Sequence, residues 1–128
     1  MYEYKIKSVD KIVDGDTVDV TIDLGFDILH KTRVRLYGIN APESRTRDLE
    51  EKKRGLDAKE RLTELILSSF LEDHSLFLQT KEKGKYGRYL GIFIRRASTV
   101  KEGEKEELDL NQQLVLEGHA VDYFGGKR

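Results

Sequence analysis

Between positions 33 and 43 the chain reads Arg33-Val34-Arg35-Leu36-Tyr37-Gly38-Ile39-Asn40-Ala41-Pro42-Glu43, with Pro42 the only proline. In an extended strand residues two apart share a face, so Arg33, Arg35 and Tyr37 point one way while Val34 and Leu36 point the other. One face packs and the other offers guanidinium groups. A planar guanidinium forks onto phosphate oxygens, and a carboxylate a turn away takes a proton from water or holds a cation. The chemistry this order suits is phosphoryl chemistry.

Three further signals stand elsewhere: the turn Asp14-Gly15-Asp16-Thr17, the run Lys85-Tyr86-Gly87-Arg88, and Gly118-His119-Ala120 with the aromatic pair Tyr123-Phe124. Singly each has a plain reading. Asp-Gly-Asp is most often only a turn, and Tyr-Gly-Arg is a common hairpin turn with an exposed arginine. His30, His74 and His119 are scattered without ligand spacing, so a histidine metal site is not indicated.

The elements that must position these residues follow from apolar periodicity. Ile6, Val9, Ile12 and Val13 predict a bent first strand over 2–13. Val18, Val20, Ile22 and Leu24 then alternate with Thr17, Asp19, Thr21 and Asp23, which predicts a half-buried antiparallel strand. Gly25 to Asp27 turn the chain into the arginine strand, about 28–39. A charged loop runs to Arg54, Gly55 punctuates it, and Ala58, Leu62, Leu65, Ile66 and Phe70 predict an amphipathic helix over 56–71. Leu76 to Leu78 and Tyr89 to Ile94 form a hairpin about the Gly84–Gly87 turn. The mixed-sign run 101–107 is a surface loop, and Asn111 caps a short helix stopped by Gly118. Short strands, a helix, a hairpin and a second helix suggest an α+β chain, mainly a small Greek-key β-barrel with helices packed on it.

The 128 residues fit one domain spanning 1–128. With 23 basic and 24 acidic residues the formal net charge is −1, so polyanion binding must come from local clusters. There is no cysteine, which excludes disulfides and thiolate metal sites. The first residues lack the apolar run of a signal peptide and no stretch is long enough to span a membrane, so a cytoplasmic protein is expected, or a secreted one if a leader has been removed. No membrane and no obligate protein partner is indicated, and a monomer is expected.

In order and spacing the four signals resemble the staphylococcal nuclease (thermonuclease) family, over nearly the whole chain to about Ala120. The resemblance implies an OB-fold, a five-stranded Greek-key barrel with two or three packed helices, and a calcium-dependent nuclease acting on DNA and RNA with little sequence specificity and leaving 3′ phosphates. The family's Val-Asp-Gly-Asp-Thr turn corresponds to Val13–Thr17, which gives Asp16 the role of calcium ligand. Its strand arginine is Arg35, and its acidic metal ligand, carbonyl ligand, proline and catalytic glutamate fall on Asn40, Ala41 (backbone carbonyl), Pro42 and Glu43. Arg88, after the Lys-Tyr-Gly turn, matches the second catalytic arginine, while Lys85, Tyr86 and Tyr123 are implied at the substrate. One departure stands out. The family usually has aspartate where this chain has Asn40, so the site loses one negative charge and is expected to hold calcium less tightly, with Asp14 or Asp19 available to compensate. The alternative is a weakened or inactive module of the same fold that binds nucleic acid.

Overall fold

The computed structural model describes residues 2–71, 74–83, 89–97 and 107–123. Three strands open the chain, β1 (Glu3–Asp14), β2 (Thr17–Asp23) and β3 (Leu29–Leu36), each antiparallel to the next. The bend predicted near Ile12 has a physical source: the β1–β2 register shifts at Ile6/Ser8, Val9/Lys11 and Ile12/Asp14, and such irregularities bend and twist a strand. After β3 the chain turns at Tyr37-Gly38, where Gly38 has φ +79°, before the two-residue β4 (Ile39–Asn40). The single strand expected over 28–39 is therefore broken.

Helix α1 (Leu49–Ser68) is followed by β5 (His74–Lys83) and β6 (Tyr89–Ala97), then β7 (Glu107–Asp109), α2 (Leu110–Leu116) and β8 (Val121–Asp122). Five strands close a barrel in the order β3-β2-β1-β5-β6, because β6 returns to pair parallel with β3 through Val34↔Tyr89, Arg35↔Leu90 and Leu36↔Gly91. Closure removes the exposed edges that an open sheet would leave. β7 lies on the later part of β6, and β8 pairs with β4. This is the OB-type barrel with two helices that the sequence suggests. No helix among the described residues is long and apolar enough to cross a membrane.

Alternation sends Ile6, Val18, Val20, Val34, Leu36, Leu76, Leu78 and Phe93 into one core, which α1 covers with Ala58, Leu62, Leu65 and Ile66 and α2 with Leu110 and Leu114. Leu24, expected on the inward face, is 40% exposed at the strand's end.

The predicted helix over 56–71 needs correction at both ends. α1 begins at Leu49 because the Asp48 side chain accepts hydrogen bonds from the Glu50 and Glu51 amides, satisfying donors that an uncapped first turn leaves open. Gly55 lies inside the helix rather than ahead of it, and Phe70 lies beyond its end, 43% exposed. The cap of α2 is likewise Asp109, which accepts from the Gln112 amide. Asn111 is instead buried: its Nδ2 donates to the Tyr37 and Gly91 carbonyls, both at 3.0 Å, and its Oδ1 accepts from the Phe93 amide at 3.2 Å. One amide thus ties α2 to the turn after β3.

The helices are also joined by charge. Arg61 of α1 forks onto Glu117 with Nε–Oε1 2.5 Å and Nη2–Oε2 2.9 Å, and Gln113 Nε2 donates to the same carboxylate at 2.6 Å. These donors favour the ionised form and hold the Glu117 carboxyl at about 2, below its ordinary 4.5. A depressed carboxyl stabilises the fold above its unfolded value and loses that contribution as pH falls from 4.5 toward 2. Partial exposure limits the effect to about 1 kcal/mol. Between pH 5 and 3, thermal melts of Glu117→Gln are expected to fall less steeply than those of the native chain; parallel slopes would refute the assignment.

Candidate active site

The Asp14-Gly15-Asp16 turn joins β1 to β2 and lies directly against α1. A Cβ on Gly15 would stand 2.7 Å from the Ala58 Cβ and 3.2 Å from the Ala41 Cβ, so glycine is required here by close packing on the helix. That contact buries Asp16, which is 5% exposed. Its backbone carbonyl accepts from the Leu36 amide at 2.8 Å, its Oδ1 from the Thr17 hydroxyl at 3.0 Å, and its Oδ2 from the Ala41 amide at 2.9 Å. The carboxylate fastens the end of β3 and the segment after β4 to one turn.

Arg35 reaches the same place. Its Nη2 donates to Asn40 Oδ1 at 3.2 Å and lies 3.9 Å from Asp16 Oδ2. The Tyr123 ring stacks on the guanidinium, 5.3 Å from Cζ, and the Tyr123 amide donates to the Gly38 carbonyl at 2.8 Å. The β4–β8 pairing, with Asn40 opposite Val121, is what carries Tyr123 there. Such cation–π and charge-assisted contacts fix the plane of a guanidinium whose side chain is 17% exposed.

Glu43 stands on a short segment held at both ends. Ala41 is anchored on Asp16, and the amide and hydroxyl of buried Ser44 both donate to Asp14 Oδ1, the amide at 3.1 Å. Below the segment passes α1 at Gly55, where a Cβ would stand 2.3 Å from the Glu43 carbonyl oxygen and 2.4 Å from its carbonyl carbon. Gly55 and Ala58, one turn apart, make the narrow strip of helix on which the Glu43 segment and the Asp16 turn both rest. Glu43 itself is exposed.

Contacts through Arg35 and Asp16 therefore link Asn40, Ala41 and Tyr123 in one cluster, and Glu43 is two residues from Ala41 on the same anchored segment. Arg88, Lys85, Tyr86 and Phe124 lie outside the described residues. Arg33, which shares the Arg35 face in sequence, is engaged elsewhere: its Nε and Nη2 meet Asp19 at 2.7 and 3.1 Å across the β2–β3 ladder. That pairing lowers the Asp19 carboxyl, so Asp19 charge is committed to Arg33 and not to Asn40. Asp14, the other compensating candidate, accepts from the Ser44 amide and hydroxyl through Oδ1, neutral donors that leave its charge in place. The packing roles of Gly55 and Asn111 were not visible in apolar periodicity; a glycine within a helical pattern and a buried amide in a short helix are the only signals the chain carries for them.

The side-chain oxygens at the site are the Asp16 carboxylate and the Asn40 amide oxygen, which accepts from Arg35. Among the described residues no group of three or more His, Cys, Asp or Glu side chains stands close enough to hold a metal ion. By donor chemistry this all-oxygen set suits a hard divalent cation with tolerant geometry, at lower negative charge than a pair of carboxylates gives. Residues 33–128 match the family model described as staphylococcal nuclease homologue. No curated protein matches the chain.

Proposed function

We propose, for a chain that belongs to the staphylococcal nuclease homologue family, that it is a calcium-dependent nuclease hydrolysing DNA and RNA phosphodiesters with little sequence specificity and leaving 3′ phosphates. The observation that carries this reading is the cluster in which Arg35 is held by Asn40 and Tyr123 beside the buried Asp16, with Glu43 on the segment anchored to the same turn. The Asp14–Thr17 turn precedes the matched span, yet it is joined to it by four hydrogen bonds from Leu36, Ala41 and Ser44.

In this reading Glu43 accepts the proton of the attacking water, and the oxygen adds to phosphorus as the bond to the 5′ oxygen breaks, that oxygen taking a proton from solvent to leave as the 5′ hydroxyl. Arg35 and Arg88 donate to the phosphoryl oxygens, where negative charge builds in the transition state. Asp16, Asn40 and the Ala41 carbonyl would hold calcium, which would supply Lewis-acid polarisation of the phosphate. Lys85, Tyr86 and Tyr123 are assigned to substrate binding, with Tyr123 also fixing the Arg35 plane.

A fluorescent oligonucleotide incubated with calcium, and separately with chelator, tests the proposal. Cleavage confined to the calcium arm, with 3′-phosphate ends, is expected; binding without turnover at any divalent ion would favour the inactive module. Asn40→Asp restores a charge, and calorimetry is expected to show calcium binding roughly tenfold tighter, from one added unit charge in a partly solvated site. Unchanged affinity would remove Asn40 from the ligand set.

A further inference from the structure

The β2–β3 hairpin ends in a tip that nothing in the folded chain explains. Leu24, Phe26, Ile28 and Leu29 are 40, 98, 54 and 52% exposed, and Gly25, Phe26 and Asp27 take positive φ angles of 83°, 53° and 62°. A phenylalanine is held in a left-handed conformation that favours glycine, with its ring in water. An apolar cluster of this kind marks a contact surface.

At the base of the same hairpin the barrel mouth is open. A cavity of about 360 Å³ is lined by Ile22, Leu24, His30, Thr32, Leu78 and Lys81, among others. A dry cavity of about 150 Å³ already admits benzene, so this one has room for a phenylalanine side chain. The charges also differ between tip and mouth. Asp23 and Asp27 flank the tip, whereas Lys81 and His30 line the mouth.

We propose that this end of the barrel is a self-association surface: in a twofold pair of chains, Phe26 of each copy fills the barrel mouth of the other. A twofold interface needs a surface that carries both a feature and its complement, and here an acidic apolar tip sits beside a basic apolar mouth. A nucleic acid is the poorer occupant, since the two aspartates repel phosphate. An anionic lipid surface is disfavoured for the same reason.

Sedimentation velocity on the full chain at rising concentration is expected to show monomer passing to dimer. Phe26→Asp at the tip and Thr32→Arg in the mouth are each expected to weaken the dimer by about 100-fold, the effect of losing a central aromatic anchor. Mixed in equal amounts they should associate better than either alone, because one intact tip meets one intact mouth and the other contact sets Asp against Arg. Should Thr32→Arg fail to fold by circular dichroism, Lys81→Glu on the exposed rim replaces it, with the same expected weakening. A chain that stays monomeric at every concentration overturns the proposal, as does a dimer that neither variant disturbs. If Phe26→Asp weakens oligonucleotide binding and leaves association unaltered, the tip is a nucleic-acid contact and the proposal fails.

Discussion

Glu43→Gln is expected to lower the cleavage rate by about 10²–10⁴-fold, the range over which a positioned general base contributes. The substitution preserves shape while removing the negative charge and, with it, the capacity to take a proton. The segment is anchored by the Ala41 amide on Asp16 and by the Ser44 amide and hydroxyl on Asp14, all of which the substitution leaves in place. The melting temperature should therefore stay near that of the native chain. The loss should fall on kcat with KM little changed, the pattern of an interaction made in the transition state. Extra calcium should not rescue it, because the amide is no better a base when the cation site is full. If Glu43→Gln cleaves at the native rate, another group activates the water and the assignment of Glu43 fails. Arg35→Lys gives a complementary result: it keeps the charge but loses the fork that meets Asn40 and the flat face that meets Tyr123. It should cost rate and some stability together.

Why the strands that carry these residues are legible in the sequence is a matter of period. A strand buried on one face writes itself as strict alternation, and Val18, Val20 and Ile22 do so, as do Val34 and Leu36 on β3. The Asp-Gly-Asp turn, the strand arginine and the Asn-Ala-Pro-Glu run are local patterns, and the fold brings Asp16, Arg35, Asn40 and Ala41 into contact where the pattern suggests a shared site. Residues 49–54 gave no such signal, because the first turns of α1 are largely exposed and carry no apolar stripe; Asp48 starts the helix through its side chain. Asn111 resembles a cap because its type favours caps, but tertiary contacts to Tyr37, Gly91 and Phe93 claim it. Arg33 is on the same strand face as Arg35, yet its place opposite Asp19 depends on the β2–β3 register, which one strand read alone does not contain. For Asn111 and Arg33 a long-range partner decided the outcome, and for the start of α1 a local cap did.

Gly55 is the sharpest instance, and its substitution separates packing from propensity. Inside an exposed helix, Gly→Ala stabilises by about 0.5–1 kcal/mol, since it removes unfolded-state freedom. At Gly55 the sign should reverse. The new Cβ would fall 2.3 Å from the Glu43 carbonyl oxygen and 2.7 Å from the Ser44 amide nitrogen, and backbone atoms cannot rotate away as a flexible side chain does. Two responses are open to the chain. If α1 moves outward, Ala58 loses its fit against Gly15 and the core loosens, a cost of about 1–3 kcal/mol as for other overpacked sites. If the 41–44 segment moves instead, stability changes little but Glu43 leaves its position, and a displacement near 1 Å can cost about 10²-fold in rate. Gly55→Ala is thus expected to lower either the melting temperature or kcat markedly, and Gly55→Val to lower both. The measurement is a thermal melt beside a cleavage assay on the same preparation. A variant that melts higher than the native chain and cleaves at full rate would show that α1 and the Glu43 segment are not in contact, and with that the helix would cease to be the support on which the site is built.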